Sequence, residues 1–442
     1  MTAFRINKAG GLKGVVRPLG DKSIAHRSII ISAITRGKTV IRNFPSNQDC
    51  LSTLSAFKKL GIKIKPELSG GVTVHGNGLR GLSKPRGPIF VGESGTTLRL
   101  LLGVLAGQDF PVKLVAGKSL SRRPMLRVNA PLRIMGAKIS SELKTQSSKR
   151  EEYPPITIRG GNLKAITYKM PVASAQVKSA LLLAGLYARG FTKIIEPLAT
   201  RDHTERLLRL FKADIRAQKN NIAVRGGREL SSPGKIAIPA DISSATFFLV
   251  AAAITARSRL VIKNVSLNPS RTGILRVLRR MGADMTVQNS KLKAQSFEPT
   301  GDIIVRSSRL KGTTVGKKEI PSVIDELPVL MVAACLAKGR TRLEGVSELR
   351  IKETDRIKSM SENLSKMGAK IQTVKAGKTE DIIIEGVKLL KGAKVRSFGD
   401  HRTAMSMAVA GLTAEGTTSI DDSECIRKSF PNFLTVLKKL LL

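Results

Sequence analysis

The sequence is organised around the stretch Gly20-Asp21-Lys22-Ser23-Ile24-Ala25-His26-Arg27. It lies between an extended N-terminal segment and an apolar run over residues 28–34. A glycine turn that leads into polar residues and then an apolar run predicts a helix start, which Ser23 could cap. Arg27 lies four residues after Ser23, so both fall on one helical face. Because a helix N-terminus offers unpaired N–H groups and a positive dipole end, this stretch could attract an anion.

The chain repeats this arrangement six times. In each copy, small or polar residues precede a strongly apolar run of helical length. The runs cover residues 23–34, 96–105, 174–187, 243–254, 327–336 and 403–412. A helix that is apolar on most sides is a buried helix. The sequence therefore predicts six buried helices, each with a polar start.

A strand and a second, amphipathic helix follow each run. The second helices end in a recurring phrase: Leu60-Gly61-Ile62-Lys63, Met135-Gly136-Ala137-Lys138, Met281-Gly282-Ala283-Asp284 and Met367-Gly368-Ala369-Lys370. Glycine at this position is typical of a helix C-terminus. Further strand-like segments close most copies, so each copy is a mixed α/β unit, and the interval between copies is too long for a solenoid.

Two groups of three copies are the natural partition, with a boundary near residues 231–234, a Ser-Ser-Pro-Gly stretch. Residues 4–18 have no place in the first copy. We expect them to pair with the last copy, which would create two linkers between the domains.

Composition fits a large α/β protein. The chain has 442 residues, of which 41% are hydrophobic, enough for two domains with sizeable cores. No apolar run is long enough to span a membrane, and residues 1–17 lack the apolar core of a signal peptide, so a cytoplasmic location is expected. The three cysteines are widely spaced and predict neither a disulfide framework nor a zinc site.

The formal net charge of +43 has three interpretations. It could reflect nucleic-acid binding, a generally basic surface, or an anionic small substrate. The basic residues are spread along the whole chain, and aromatic residues make up only 4%, so stacking platforms for single strands are poorly supplied. Charge alone does not choose between these interpretations.

Cations recur near the openings of the second helices. They are Arg122, Arg123, Arg201, Arg271, Lys352, Arg356, Arg427 and Lys428. A cation there opposes the helix dipole at a cost of a few tenths of a kcal/mol, which makes sense if an anion lies beyond the helix ends. Parallel helices in each domain would bring these starts together, and two opposed faces would make a positive cleft. Asp325 and Glu353, beside so many cations, should be ionised.

These motifs resemble one family, 5-enolpyruvylshikimate-3-phosphate synthase (EPSP synthase), over essentially the whole chain. In the first half the resemblance rests on residues 20–27, 93–99, 122–125, 173–179 and 200–205. In the second half it rests on residues 349–356, 399–402 and 428–431. The resemblance implies an α/β fold of two similar domains, each of three βαβαββ units with buried parallel helices in an inside-out barrel, joined by two crossovers. The implied domains are residues 22–237, and residues 1–21 with 238–442, with the active site in the cleft between them.

The implied reaction transfers the enolpyruvyl group of phosphoenolpyruvate to the 5-hydroxyl of shikimate 3-phosphate and releases phosphate, without a metal or organic cofactor. The implied catalytic residues are Lys22, Asp325 and Glu353. Shikimate 3-phosphate would be bound by Lys22, Ser23, Arg27, Ser174, Gln176, Arg201, Asp325 and Lys352. Phosphoenolpyruvate would be bound by Lys22, Gly95, Arg123, Gln176, Arg356, Arg402 and Lys428. A monomer without membrane or nucleic-acid partners is expected.

The chain departs from many family members at three positions, where it has Asp21, Glu93 and Ala175. One branch of the family shares the Asp-Lys-Ser form and the alanine. Ala175 has no side-chain hydrogen-bond donor, so any role it has would be through its backbone. Gly95 matches the common small residue beside phosphoenolpyruvate, which predicts that the inhibitor glyphosate fits there.

Three alternatives remain at the level of sequence. One is a catalytically inactive scaffold protein, against which the presence of Lys22, Asp325 and Glu353 together speaks. The sister family, UDP-N-acetylglucosamine enolpyruvyl transferase, has Lys-Asn at the first motif and usually a cysteine in a mobile loop. This chain has Lys22-Ser23 and no cysteine between Cys50 and Cys335. A nucleic-acid-binding protein on the same scaffold would need basic or aromatic patches outside the cleft.

Overall fold

The computed structural model describes residues 3–67, 70–146, 149–290, 297–377 and 379–442. Contacts divide the chain into two compact units. One unit, here the first-half unit, is Gly20–Ile238. The other, the second-half unit, combines Met1–Leu19 with Pro239–Leu442, so both chain ends belong to it.

The described residues form twelve α-helices and 23 strands. The helices are α1 (Lys22–Ala33), α2 (Gln48–Lys59), α3 (Gly95–Leu105), α4 (Leu126–Ile134), α5 (Ala175–Gly185), α6 (His203–Leu210), α7 (Ile242–Ile254), α8 (Gly273–Arg280), α9 (Leu327–Cys335), α10 (Arg356–Lys366), α11 (His401–Gly411) and α12 (Phe433–Lys438). In chain order, the first thirteen strands are β1 (Phe4–Ile6), β2 (Lys13–Val16), β3 (Arg36–Arg42), β4 (Lys63–Glu67), β5 (Gly71–Asn77), β6 (Ile89–Phe90), β7 (Pro111–Val115), β8 (Lys138–Gln146), β9 (Lys149–Arg159), β10 (Thr167–Lys169), β11 (Phe191–Ile195), β12 (Ile215–Gln218) and β13 (Asn221–Arg225). The remaining strands are β14 (Lys235–Ala237), β15 (Arg259–Ser266), β16 (Met285–Asn289), β17 (Thr300–Arg306), β18 (Thr314–Val315), β19 (Arg340–Leu343), β20 (Lys370–Ala376), β21 (Thr379–Glu385), β22 (Lys394–Val395) and β23 (Thr418–Ile420).

The six sheets follow one plan, which confirms the predicted βαβαββ repeat. Each sheet contains one parallel pair of strands, and its other neighbouring strands pair in antiparallel fashion. Within the described residues, five sheets have four strands, and the sheet of the last copy has three. The first-half sheets have the orders β14-β3-β5-β4, β6-β7-β9-β8 and β10-β11-β13-β12. The second-half sheets have the orders β16-β17-β15-β2, β18-β19-β21-β20 and β1-β23-β22.

The N-terminal segment completes two different sheets. As expected, β1 pairs with β23 of the last copy, through Phe4 opposite Ile420. The next strand, β2, pairs in parallel with β15 of the fourth copy, a partner the sequence did not suggest. The N-terminal segment therefore supplies one strand to the sheet of the last copy and one strand to the sheet of the fourth copy.

The first helix of each copy is buried, because almost every side chain after its start is apolar. Twelve of the thirteen residues of α7 are buried, as are all nine of α9. In the second-half unit α7, α9 and α11 pack on one another, and in the first-half unit α3 contacts both α1 and α5. The second helices are amphipathic and bury one face, as α8 does with Ile274, Val277 and Leu278.

Candidate active site

The start of α1 differs from the sequence prediction. Asp21, not Ser23, caps the helix, because its Oδ1 accepts a hydrogen bond of 2.8 Å from the backbone N–H of Ile24. The prediction that Ser23 is the cap was wrong because Asp21, one position ahead of the first helical residue, is also a strong capping residue. Ser23 thus lies in the first turn, where its hydroxyl accepts a hydrogen bond of 3.5 Å from Arg201 Nη1.

Arg27 is held in a buried polar layer one turn further along α1. Only 3% of the residue is exposed. Its Nε donates to Thr204 Oγ1 at 2.7 Å, its Nη2 to Ser179 Oγ at 2.8 Å, and its Nη1 to the carbonyl of Ser23 at 2.9 Å. Three elements, α1, α5 and α6, therefore fix the direction of this guanidinium, which preorganises it beside the helix start.

Lys22 is paired with Asp49, a residue that the sequence reasoning missed. The Lys22 Nζ lies 2.9 Å from Asp49 Oδ2, and about a sixth of each side chain is exposed. Asp49 lies in the first turn of α2, where an acidic residue is favoured by the helix dipole. That position was the signal in the sequence, but it did not indicate which cation Asp49 would meet.

Two guanidinium groups converge on Gly95 at the start of α3. A Cβ atom added at Gly95 would lie 2.7 Å from Arg99 Nη1 and 2.9 Å from Arg123 Nη1. Arg99 Nη1 also donates to Gln176 Oε1 at 2.7 Å, and Gln176 Nε2 donates to Thr96 Oγ1 at 2.9 Å. Two cations beside a helix N-terminus make a site that favours an anion. Arg99 was quoted in a motif but not named as a site residue.

Glu93 shapes the loop that leads to Arg123. Its carboxylate accepts hydrogen bonds from the backbone N–H groups of Ser119 at 3.2 Å and Leu120 at 2.7 Å. Leu120 begins the short 3₁₀ helix Leu120–Arg122, and Arg123 follows it directly. The glutamate that distinguishes this chain from many relatives thus has a local structural role.

The start of α5 matches its expected form. Ser174 is the N-cap, and its Oγ accepts from the backbone N–H of Val177 at 3.4 Å. Ala175 is the first helical residue, so its missing side-chain donor leaves the cap intact.

A buried charge cluster follows on α5. Lys178 Nζ lies 2.9 Å from Glu196 Oε2 and 2.7 Å from Glu205 Oε1, and at most 2% of each of the three side chains is exposed. Glu196 also accepts hydrogen bonds from the hydroxyl and backbone N–H of Thr200. This cluster ties down the turn that immediately precedes Arg201. Burial raises the pKa of Glu205, which Lys178 partly counteracts.

In the second-half unit, Arg356 is the centre of an ionic network. Its Nη2 donates to Glu353 Oε2 at 2.5 Å, its Nε donates to Asp400 Oδ2 at 2.7 Å, and its Nη1 lies 3.7 Å from Asp325 Oδ1. Burial alone would lower the pKa of Arg356, but the attraction of Asp400 and Glu353 outweighs it, and the pKa is raised. Both predicted acid/base residues therefore contact the same guanidinium.

Arg402 lies on the other side of Asp325. Its Nη1 donates to the backbone carbonyl of Asp325 at 2.7 Å, and its Nε is 4.0 Å from the Asp325 carboxylate. The backbone N–H of Arg402 donates to Asp400, the N-cap of α11, at 2.8 Å. Burial and the neighbouring Arg356 lower the pKa of Arg402.

Arg271 is a third cation at Asp325. Its Nη1 lies 3.9 Å from Asp325 Oδ2, and its Nη2 lies 3.4 Å from Glu326 Oε1 and donates to Ser243 Oγ. Arg271 was predicted as a cation near a helix start, but not as a site residue. The side chain of Asp325 thus faces arginines from three segments of this unit.

The two lysines predicted in this unit have more exposed positions. Lys428 Nζ donates to the carbonyl of Gly399 at 2.9 Å, next to Asp400. Lys352 Nζ lies 3.9 Å from Glu348 Oε1. Lys352 directly follows the 3₁₀ helix Ser347–Ile351 and precedes Arg356 by one turn.

The cations lie near the starts of the second helices, as expected, but most of them precede the first helical residue. Arg356 is indeed the first residue of α10. The pairs 122–123 and 427–428, however, lie at the 3₁₀ helices Leu120–Arg122 and Glu424–Lys428, several residues before α4 and α12 begin. The effect of the helix dipole falls off beyond the first turn. A cation in a preceding 3₁₀ turn therefore opposes the dipole only weakly, so the chain tolerates several such cations.

Other kinds of site find no support among the residues that the structure describes. No group of three or more His, Cys, Asp or Glu side chains there could hold a metal ion. All three cysteines are buried, and burial raises the pKa of each thiol. Within the same residues, no helix is both long and apolar enough to cross a membrane.

Comparison with known proteins decides the family. The family model described as EPSP synthase (3-phosphoshikimate 1-carboxyvinyltransferase) matches residues 6–437. The chain belongs to the EPSP synthase family. It is accordingly a transferase, and the resemblance predicted from the helix-start motifs is confirmed.

Curated relatives of the family extend over the whole chain. A 3-phosphoshikimate 1-carboxyvinyltransferase of Bacillus cytotoxicus is 45% identical over 98% of this chain and 99% of its own length. The enzyme of the same name from Geotalea daltonii is 46% identical over 97% of this chain and 96% of its own length.

Solved structures agree with this assignment. EPSP synthase from Acinetobacter baumannii aligns with a TM-score of 0.85 and 43% identity, over 100% of this chain and 98% of that one. The enolpyruvyl transferase NikO from Streptomyces tendae, at 17% identity and a TM-score of 0.75, shares the fold.

Proposed function

We propose that this EPSP synthase family member transfers the enolpyruvyl group of phosphoenolpyruvate to the 5-hydroxyl of shikimate 3-phosphate. The products are 5-enolpyruvylshikimate 3-phosphate and inorganic phosphate. Family membership supports the reaction, and the arrangement of charged side chains supports the residue roles below. The single observation that carries these roles is that Asp325 and Glu353 both contact the buried Arg356.

The substrates explain why arginines predominate. Each substrate carries a phosphate and a carboxylate, so the two repel each other. Two unit charges 4 Å apart cost about 4 kcal/mol at an effective dielectric constant near 20. Arginine stays charged and binds both anion types bidentately, so several arginines can offset this repulsion.

Shikimate 3-phosphate would bind to the groups around the starts of α1 and α5. These are Lys22, Ser23, Arg27, Ser174, Gln176 and Arg201, together with Asp325 and Lys352 of the second-half unit. The contact between Arg201 and Ser23 and the buried anchoring of Arg27 support a preformed anion site in the first-half unit. Lys22 would contact both substrates.

Phosphoenolpyruvate would bind to Lys22, Gly95, Arg123, Gln176, Arg356, Arg402 and Lys428. The close approach of Arg99 and Arg123 at Gly95 provides one anion site. Arg356 and Arg402 both lie beside Asp325, at 3.7 Å and 4.0 Å from its carboxylate, and these two guanidinium groups support a second position at which an anion would be stabilised.

Asp325 and Glu353 would move the protons. Attack by the 5-hydroxyl on the enol carbon requires protonation of the adjacent methylene by a carboxylic acid and removal of the hydroxyl proton by a base. Addition then gives a tetrahedral phosphoketal. Elimination removes a proton from the new methyl group and expels phosphate, so the proton transfers run in reverse. The pair Asp325 and Glu353 supplies both functions, and Lys22 stabilises the negative charge of the phosphate.

The direct test is release of inorganic phosphate from phosphoenolpyruvate by the purified protein, with and without shikimate 3-phosphate. We expect release only when both substrates are present. UDP-N-acetylglucosamine in place of shikimate 3-phosphate should give none. Equal release with and without shikimate 3-phosphate, or release driven by the nucleotide sugar, would overturn the proposal.

Replacement of Gly95 by Ala should weaken phosphoenolpyruvate binding. The added Cβ would lie under 3 Å from both Arg99 and Arg123, so these guanidinium groups must shift. We expect the KM for phosphoenolpyruvate to rise by about tenfold, equivalent to ~1.4 kcal/mol, with little change in the KM for shikimate 3-phosphate.

A matched control for this substitution is Gly87→Ala. A Cβ at Gly87 meets nothing within 4 Å, so this variant should behave as the wild type. An equal rise in both KM values for Gly95→Ala would show that the change disturbs the first-half unit in general, and not the phosphoenolpyruvate site.

A further inference from the structure

The outer face of the first sheet carries five exposed cations. This sheet has the order β14-β3-β5-β4 and belongs to the first-half unit. We use the name basic face for its five exposed cations, Lys38, Arg42, Lys63, Lys65 and Lys235. They alternate with buried residues along their strands, so all five project from the same side of the sheet.

The register places four of these cations in two rows, on β4 and β3, with β5 between them, and Lys235 lies on β14 on the other side of β3. Lys63 and Lys38 lie opposite His75 of β5 from either side, and Lys65 lies opposite Thr73. Because neighbouring strands are about 4.8 Å apart, the rows on β4 and β3 are separated by about 10 Å. Lysine side chains therefore flank the central strand β5 on both sides.

The basic face lacks compensating carboxylates. Among the described residues, none of its five cations lies within ion-pair distance of an acidic side chain. Glu67 lies at one end of the face, and its carboxylate accepts a hydrogen bond from Thr73. The uncompensated charge of this face is therefore about four positive charges within one sheet.

Another sheet of the same protein shows the contrast. On the sheet β18-β19-β21-β20, Arg340 pairs with Glu385 at 2.5 Å and Arg342 pairs with Asp381 at 2.7 Å. Basic residues on exposed strands are thus matched by carboxylates there but not on the basic face. Like charges close together oppose one another, so an external polyanion would stabilise the basic face.

We propose that the basic face binds double-stranded nucleic acid through its phosphates, without reading its sequence. A duplex presents two regular rows of phosphates on its outside, which suits rows of flexible cations. The outward positions of these four strands carry no Phe, Tyr or Trp side chain, so the stacking on which single-strand binding depends is poorly supplied. This binding goes beyond the proposed enzymatic function and uses none of its residues.

The test is the affinity for a duplex DNA of about 20 base pairs, measured by fluorescence anisotropy from about 50 to 200 mM salt. The face variant combines Lys38→Glu, Lys63→Glu and Lys65→Glu. The control variant combines Lys366→Glu, Lys370→Glu and Lys388→Glu, which are exposed in the second-half unit. Both variants change the net charge equally, so they separate a defined face from a generally basic surface.

We expect the face variant to bind the duplex at least about tenfold more weakly at low salt, with a salt dependence smaller by about two to three units of slope. The control variant should lose much less. In the face variant, the release of phosphate from phosphoenolpyruvate in the presence of shikimate 3-phosphate should be unchanged. Unchanged activity would also show that the face variant is folded.

Three results would overturn the proposal. They are equal losses in the two variants, no binding of the wild type at low salt, and tighter binding to a single strand of the same length. Because phosphate release is measured separately, failure of the enzymatic proposal and failure of this one cannot be confused.

Discussion

Glu353→Gln and Asp325→Asn each lower turnover by at least about two orders of magnitude, because a positioned acid or base contributes roughly 10²- to 10⁴-fold. Both changes keep the shape of the side chain and remove its ability to exchange a proton. Both carboxylates contact Arg356. Each substitution changes only the carboxylate, so the guanidinium that would hold phosphoenolpyruvate stays in place. The measurement is kcat from steady-state phosphate release at saturating concentrations of both substrates.

The dissociation constants distinguish a chemical role from a binding role. Asp325 is surrounded by Arg271, Arg356 and Arg402, so its neutralisation leaves more uncompensated positive charge. We therefore expect Asp325→Asn to bind phosphoenolpyruvate as tightly as the wild type or more tightly, although kcat falls. A loss of affinity that accounts for the whole loss of activity would contradict the acid/base role.

A matched control is Glu385→Gln. Glu385 pairs with an arginine, as Glu353 does, but it lies on the exposed surface of a strand. Its neutralisation should leave kcat within about twofold, since exposed ion pairs contribute little. If Glu385→Gln lowered turnover as much as Glu353→Gln, the effect would be one of general charge.

The repeat and the buried helices could be predicted because they depend on local patterns. Uninterrupted apolar runs such as residues 243–254 can only be satisfied inside a core, and α7 is buried along almost its whole length. The N-cap of α1 could not be assigned from the sequence, because Asp21 and Ser23 are both capping residues and only the backbone conformation decides between them. The pairing of β1 with β23 followed from counting strands per copy.

The partners of the site residues could not be predicted, because they come from distant parts of the chain. Lys22 meets Asp49 on the next helix, and Arg27 meets Thr204 from a different copy. The helical periodicity shows which residues share one side of a helix. It does not show which other helix start will lie next to that side. The family motifs named the residues that we expect to contact substrate, whereas the position of Arg271 near Asp325 is set by the packing of the second-half unit.

The buried cluster around Lys178 gives the largest expected effect on stability. Lys178→Met should destabilise the protein by about 3–5 kcal/mol, because it leaves Glu196 and Glu205 buried without their counter-charge. The methionine fills a similar volume, so lost packing contributes little. The measurement is the midpoint of urea unfolding, followed by circular dichroism.

The pH dependence of this variant has a definite sign. Burial already raises the pKa of Glu205 with Lys178 in place, so without the lysine the folded state should bind protons more readily still. A folded state that binds more protons than the unfolded state loses stability as the pH rises. Lys178→Met should therefore be less destabilised at about pH 5 than at about pH 8, and Glu205→Gln in the same chain should restore part of the loss at the higher pH.

The control for this prediction is Lys358→Met. Lys358 also pairs with a glutamate, Glu362, at 3.7 Å, but 64% of its side chain is exposed. Surface pairs of this kind contribute less than about 1 kcal/mol, so this variant should keep the wild-type midpoint at both pH values. Equal midpoints for Lys178→Met and Lys358→Met, or a loss that does not change with pH, would show that Lys178 does not neutralise Glu196 and Glu205. The same cluster holds the turn before Arg201, a residue that would bind shikimate 3-phosphate. If Lys178→Met loses stability as expected, its folded fraction should therefore also have a higher KM for shikimate 3-phosphate.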